Sequence, residues 1–73
     1  MTIVSQNRKS IFNYENVFGV AVIGEYVHVF YNKNESCAIG KYATEQRACE
    51  ILDEFVSRLE DPKFMWLYKM PKE

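Results

Sequence analysis

Seventy-three residues, 48% of them hydrophobic and 26% charged, with a formal net charge of −1, describe one soluble globular domain with no length left for a second core. That near-neutral charge excludes a nucleic-acid-coating protein, because little counterion release is available to it. No apolar segment of signal-peptide type opens the chain and its longest largely apolar run, Val17 to Ile23, is too short to span a bilayer, so a cytoplasmic protein without membrane contact is expected.

In chain order, Thr2 to Gln6 reads as a first strand and Ser10 to Tyr14 as a second, joined by the polar turn Asn7-Arg8-Lys9. Glu15 and Asn16 make a further break. Val17 to Ile23 and Tyr26 to Tyr31 are two β-rich runs separated by Gly24-Glu25, and glycine first in a two-residue loop predicts a type II′ hairpin. That turn sets a register in which Ile23 faces Tyr26, Val22 faces Val27, Ala21 faces His28, Val20 faces Val29, Gly19 faces Phe30 and Phe18 faces Tyr31. After the turn Asn32-Lys33-Asn34-Glu35 comes a strand from Ser36 to Tyr42, in which Gly40 is a candidate bulge.

Thr44 to Asp61 predicts the single helix of the chain. At about 100° per residue, Ile51, Phe55, Ala48, Leu59, Leu52, Val56 and Cys49 form one arc, opposite Gln46, Arg47, Glu50, Asp53, Glu54, Ser57, Arg58, Glu60 and Asp61. Glu45 alone falls on the apolar side, in the first turn, where a carboxylate favours the positive end of the dipole. Thr44 suits the N-cap, Arg47 occupies the place where a capping box needs Glu or Gln, and Glu54 and Arg58 are spaced for an ion pair. Pro62 ends the helix by disfavouring helical geometry at Asp61. Beyond it runs the aromatic segment Phe64, Met65, Trp66, Leu67, Tyr68 and Met70, with Phe64, Trp66, Tyr68 and Met70 on one side if extended. This segment is expected either to return to the sheet as a last strand or to reach a neighbouring subunit as an arm.

The hairpin has two faces. Phe18, Val20, Val22, Val27, Val29 and Tyr31 suit packing under the helix. Ile23, Tyr26, Ala21, His28, Gly19 and Phe30 make the reverse, which is too apolar for a solvated face.

No constellation for chemistry assembles. The carboxylates Glu50, Asp53 and Glu54 lie on the solvent arc beside Arg47 and Arg58, without an apolar wall to raise a pKa, and His28 is the lone histidine. Cys37 and Cys49 lack metal-site spacing and are expected to be reduced, buried and chemically quiet. Gly19, Gly24 and Gly40 are too scattered for a phosphate loop. No cofactor and no enzymatic activity are implied.

At Ile39-Gly40-Lys41-Tyr42, running into Thr44-Glu45-Gln46-Arg47-Ala48-Cys49-Glu50-Ile51-Leu52-Asp53-Glu54, and again at Tyr68-Lys69-Met70-Pro71, the chain resembles small proteins of Firmicutes, their phages and integrated elements. Those proteins share a start similar to Ile3-Val4-Ser5-Gln6, an "LGxY…RAxEVLxEI" block and a "YxMP" tail. Ile39 stands where Leu is usual, and the tail here is more aromatic. The resemblance implies a compact sheet-plus-helix protein and carries no family activity. A phage or mobile-element setting implies roles against a host factor, including inhibition of bacterial defence.

The expected fold is α+β: an antiparallel meander of four to five short strands, one amphipathic helix on one face, and a C-terminal aromatic strand or arm. A domain of this size buries only about 60% of its unfolded surface, so association is its expected extra source of stability. The expected function is therefore a non-enzymatic interaction or oligomerisation module, a homo-oligomer such as a dimer, with Tyr26, His28, Phe30, Trp66 and Tyr68 as contact residues. The alternative is a small-ligand or nucleotide-binding protein whose pocket forms where subunits meet, with His28, Tyr26 or Arg8 as polar contacts.

Overall fold

A computed structural model of the chain describes residues 1–61 and 66–73. Its elements are β1 (Thr2–Val4), β2 (Ile11–Asn13), a 3-10 turn (Tyr14–Asn16), β3 (Gly19–Ile23), β4 (Tyr26–Phe30), β5 (Ser36–Lys41), α1 (Glu45–Glu60) and β6 (Leu67–Lys69). The α+β class holds, and so does the antiparallel meander through β3, β4 and β5. The strands nevertheless divide into two three-stranded sheets, a terminal sheet in the order β2-β1-β6 and a central sheet in the order β3-β4-β5. The division occurs at the 3-10 turn: Asn13 Oδ1 accepts from the Glu15 amide at 3.2 Å, and the chain bends there instead of extending one meander.

The central hairpin has the register that its loop dictates, with the five pairs Ile23↔Tyr26, Val22↔Val27, Ala21↔His28, Val20↔Val29 and Gly19↔Phe30. Gly24 has φ +60 while Glu25 keeps negative φ, the combination that a type II′ turn requires. Phe18 and Tyr31 fall just beyond this ladder. Both are exposed, Phe18 at 68%, instead of packing under the helix. The register of β4 on β5 shifts between Val27↔Gly40 and His28↔Ala38, so the extra residue is Ile39, beside Gly40.

The C-terminal segment returns to its own subunit, and β6 lies parallel to β1 with Thr2↔Leu67 and Val4↔Lys69. Phe64, Met65 and Pro62 lie outside the described residues. Gln6 joins the two sheets: its amide N–H donates to the Ile39 carbonyl at 2.8 Å, and its side chain accepts from the Lys41 amide and donates to the Lys41 carbonyl.

Thr44 caps α1 with its hydroxyl accepting from the Arg47 amide at 3.0 Å, and Asp61 leaves the helix in extended geometry. Without a box to join, Arg47 donates to the Glu73 carbonyl and pairs with Glu50. Glu54 and Arg58 pair at 3.8 Å. Ala48, Ile51 and Phe55 are buried against Val27, Val29, Ile39, Ile3, Tyr68 and Met70, and each fully buried large side chain contributes roughly 1.5–3 kcal/mol. The arc is buried only at its centre. Val56 and Cys49 are exposed and Cys37 is half-buried, which corrects the expectation of two buried thiols. Among the described residues, no helix is long and apolar enough to cross a membrane.

Candidate interaction surface

Strand alternation decides which side chains meet on the free face of the central sheet. Val20, Val27, Ile39, Ile51, Leu52 and Phe55 line one small gap in the core, so the even positions of β3 and the odd positions of β4 point inward. Ala21, Ile23, Tyr26, His28 and Phe30 consequently point away from the helix. Tyr26, His28 and Phe30 form a continuous row of rings, with centroids 6.1 Å and then 6.4 Å apart. Lys41 Nζ sits 5.8 Å from the Tyr26 ring centre, and His28 Nδ1 lies 3.0 Å from the Ser36 hydroxyl. Nothing among the described residues tucks this row beneath either terminus: Ile23 is 48% exposed, Tyr26 is exposed, and His28 and Phe30 are half-buried.

The tail residues separate. Trp66 is 79% exposed, just before β6 begins. Tyr68 is 2% exposed and stacks edge-on against Phe55 at 5.4 Å, so the structure places it in the core and corrects its assignment as a surface contact. Among the described residues its hydroxyl makes no hydrogen bond of ordinary geometry, and burial, with the Glu54 carboxylate facing it, pushes its pKa far above the usual tyrosine value. Ile11, unassigned from sequence, is 71% exposed. It stands opposite Val4 on the outer side of the terminal sheet, the side that Leu67 also presents from the other end of the ladder. The alternation of Ile11 with the inward Phe12 is the signal that could have shown it.

A cleft of about 260 Å³ opens between the β1–β2 turn and β5, lined by Ser5, Gln6, Asn7, Ser10, Phe12 and Tyr26 among others. The side-chain polar atoms of Ser5 and Gln6 in it are engaged internally. The Ser5 hydroxyl donates to Asn7 Oδ1 at 2.7 Å and accepts from the Ser10 amide at 3.1 Å, while the Gln6 amide holds Lys41 and the Lys72 carbonyl. Arg8 is committed as well, donating to the carbonyls of Ser5 and Met70. Among the described residues no three His, Cys, Asp or Glu side chains converge as a metal site. No family model, curated protein or solved structure matches the chain.

Proposed function

We propose that the chain is a non-enzymatic protein-interaction module that works as a homo-oligomer. Its main contact surface in this reading is the free face of the central sheet, centred on Tyr26, His28 and Phe30, with Trp66 on a second surface. The observation that carries this is the open ring row flanked by Ile23: a contiguous apolar face on a domain too small to be stabilised generously by its own core. The ligand reading is weaker because Ser5 and Gln6 of the cleft, and Arg8 beside it in sequence, spend their polar atoms on the turn and the tail.

We further propose a cytoplasmic module and, from the resemblance to proteins of Firmicutes phages and mobile elements, a host factor as its further partner. Replacing Phe30 with Asp tests the contact surface, since the ring is half-buried on the sheet's outer side and its loss leaves the core intact. The expected result is a lower particle mass in light scattering, with a Tm lowered by the loss of the association that stabilises the domain. A native protein that is already monomeric, with Phe30→Asp indistinguishable from it, refutes the reading.

A further inference from the structure

We infer that two copies of this chain join through the outer edge of β3, in antiparallel register about Ala21, to form one continuous six-stranded sheet. The inference rests on the homo-oligomer part of the proposed function alone, naming the partner as a second copy and the contact as a strand edge beside the ring row.

The hydrogen-bonding direction of each strand residue fixes which groups are free. The Tyr42 amide donates to the Glu25 carbonyl and the Tyr31 amide to the Glu35 carbonyl, so the odd positions of β4 bond toward β5. Its even positions therefore bond toward β3, where their partners are Ile23, Ala21 and Gly19. Val20 and Val22 are left with N–H and C=O directed outward, and among the described residues no hydrogen bond reaches them from beyond the hairpin. The opposite edge of the same sheet is covered, because Gln6 occupies the outer groups of Ile39 and Lys41. Edge strands are ordinarily protected by charge, proline or a covering element; Gly19-Val20-Ala21-Val22-Ile23 has no charged residue and no proline.

The edge is complementary to itself. Pairing about Ala21 sets Val20 opposite Val22 of the second copy and Val22 opposite its Val20, which satisfies all the outward groups of both valines. Ala21 then meets its own equivalent at the close, non-hydrogen-bonded position, where Cα atoms stand about 4.5 Å apart and a small side chain is needed. Gly19 falls opposite the Ile23 of the copy. A depression of about 280 Å³ lies on that side of the sheet, lined by Phe18, Gly19, Ala21, Phe30 and Lys33, and the half-exposed Ile23 is the side chain that fills it.

The helix agrees with this arrangement. Its Arg58 and Arg47 flank faces Tyr68 and the C-terminal residues, so the exposed Val56 and Cys49 flank faces the β3 edge. With α1 lying over β3 and β4, and strands about 4.8 Å apart, the two helices of the dimer stand about 10 Å from each other. Packed helices are separated by about 8–10 Å, so the apolar flanks meet.

The test traps the register. In a chain with Cys37→Ser and Cys49→Ser, Ala21→Cys is expected to give a disulfide-linked dimer of twice the 8.6 kDa chain mass under mild oxidation, because the Cα separation suits a disulfide. His28→Cys in the same background, one strand further in, is expected to remain uncrosslinked. Gly19→Val fits the monomer, since a Cβ there meets nothing within 4 Å, yet it fills the depression and is expected to weaken dimerisation at least tenfold. If Phe30→Asp dissociates a native dimer while Ala21→Cys fails to crosslink and Gly19→Val leaves the mass unchanged, the edge is overturned and the wider reading survives. If Ala21→Cys crosslinks while Tyr26→Asp, whose ring stands in the row but outside the depression, leaves the mass unchanged, the edge stands and the face reading falls. A native chain that stays monomeric at its highest soluble concentration overturns both.

Discussion

The Tyr42 ring lies on Gly40, so closely that a Cβ added to the glycine would stand 2.8 Å from the ring Cε2 and from the hydroxyl oxygen. Tyr42 cannot easily yield, because it is buried and its hydroxyl donates to the Pro71 carbonyl at 2.7 Å. Gly40→Ala is therefore expected to destabilise the domain by about 1–3 kcal/mol, through overpacking and loosening of the tail. Thermal unfolding followed by circular dichroism reads this directly, and an unchanged Tm would show that the ring moves freely.

Among the described residues, the buried Tyr68 hydroxyl makes no hydrogen bond of ordinary geometry, although the Glu54 carboxylate faces it. Removing it as Tyr68→Phe leaves the ring contact with Phe55 and discards a desolvation cost of roughly 1–3 kcal/mol, so the variant is expected to be at least as stable as the native chain at neutral pH. The pH dependence has a definite sign. Burial raises the folded-state pKa of Tyr68, and that of Tyr42, above the ordinary 10.0, so the folded protein holds protons that the unfolded chain releases. Stability is complete below about pH 10 and falls as pH rises beyond it, less steeply in Tyr68→Phe. Denaturant midpoints across the alkaline range measure both effects.

Arg8 adopts φ 63, in the left-handed region, while its guanidinium donates to the Ser5 carbonyl at 3.0 Å and to the Met70 carbonyl at 2.8 Å. One residue thus combines a conformation better suited to glycine with a clamp only arginine makes. Arg8→Ala loses the clamp and keeps the backbone cost, whereas Arg8→Gly loses the clamp and relieves that cost. The glycine variant is expected to be more stable than the alanine variant by about 1 kcal/mol, with the native chain above both. Equal stability of all three would show that the guanidinium bonds contribute nothing net.

Thr44→Ala removes the hydroxyl that accepts from the Arg47 amide, and is expected to cost about 1 kcal/mol. Thr44→Ser keeps the acceptor and should recover most of the loss in the same unfolding experiment.

What could be read from the sequence was local. Gly24 at the first loop position fixed all five hairpin pairs, and Thr44 before an amphipathic run fixed the helix start. What could not be read depends on contacts between distant residues. The split into two sheets follows from β6 pairing in parallel with β1, a match across the chain that no periodicity signals. Trp66 and Tyr68 share a parity, yet Trp66 precedes the first ladder residue Leu67, so alternation places Tyr68 inward and does not govern Trp66. Cys49 and Val56 lie within the apolar arc, but at its flank, where they stay exposed. On the candidate site, the ring row was legible because it follows from hairpin parity. The open edge was not, because the contrast between a covered β5 and a bare β3 depends on Gln6 reaching 35 positions along the chain.

The only tryptophan of the chain supplies a last prediction. Trp66 is exposed beside the terminal sheet, whereas the inferred dimer uses β3 of the central sheet. Self-association should therefore leave the indole in water, and its emission should stay at the long-wavelength position of an exposed tryptophan as the protein is concentrated through its dimerisation range. A blue shift that tracks the rise in particle mass would mean that copies meet at the terminal sheet, over Trp66, instead. Trp66→Ser discriminates independently of fluorescence. With dimerisation through β3 it leaves the mass unchanged and alters stability by less than about 0.5 kcal/mol, as expected for an exposed side chain outside the core.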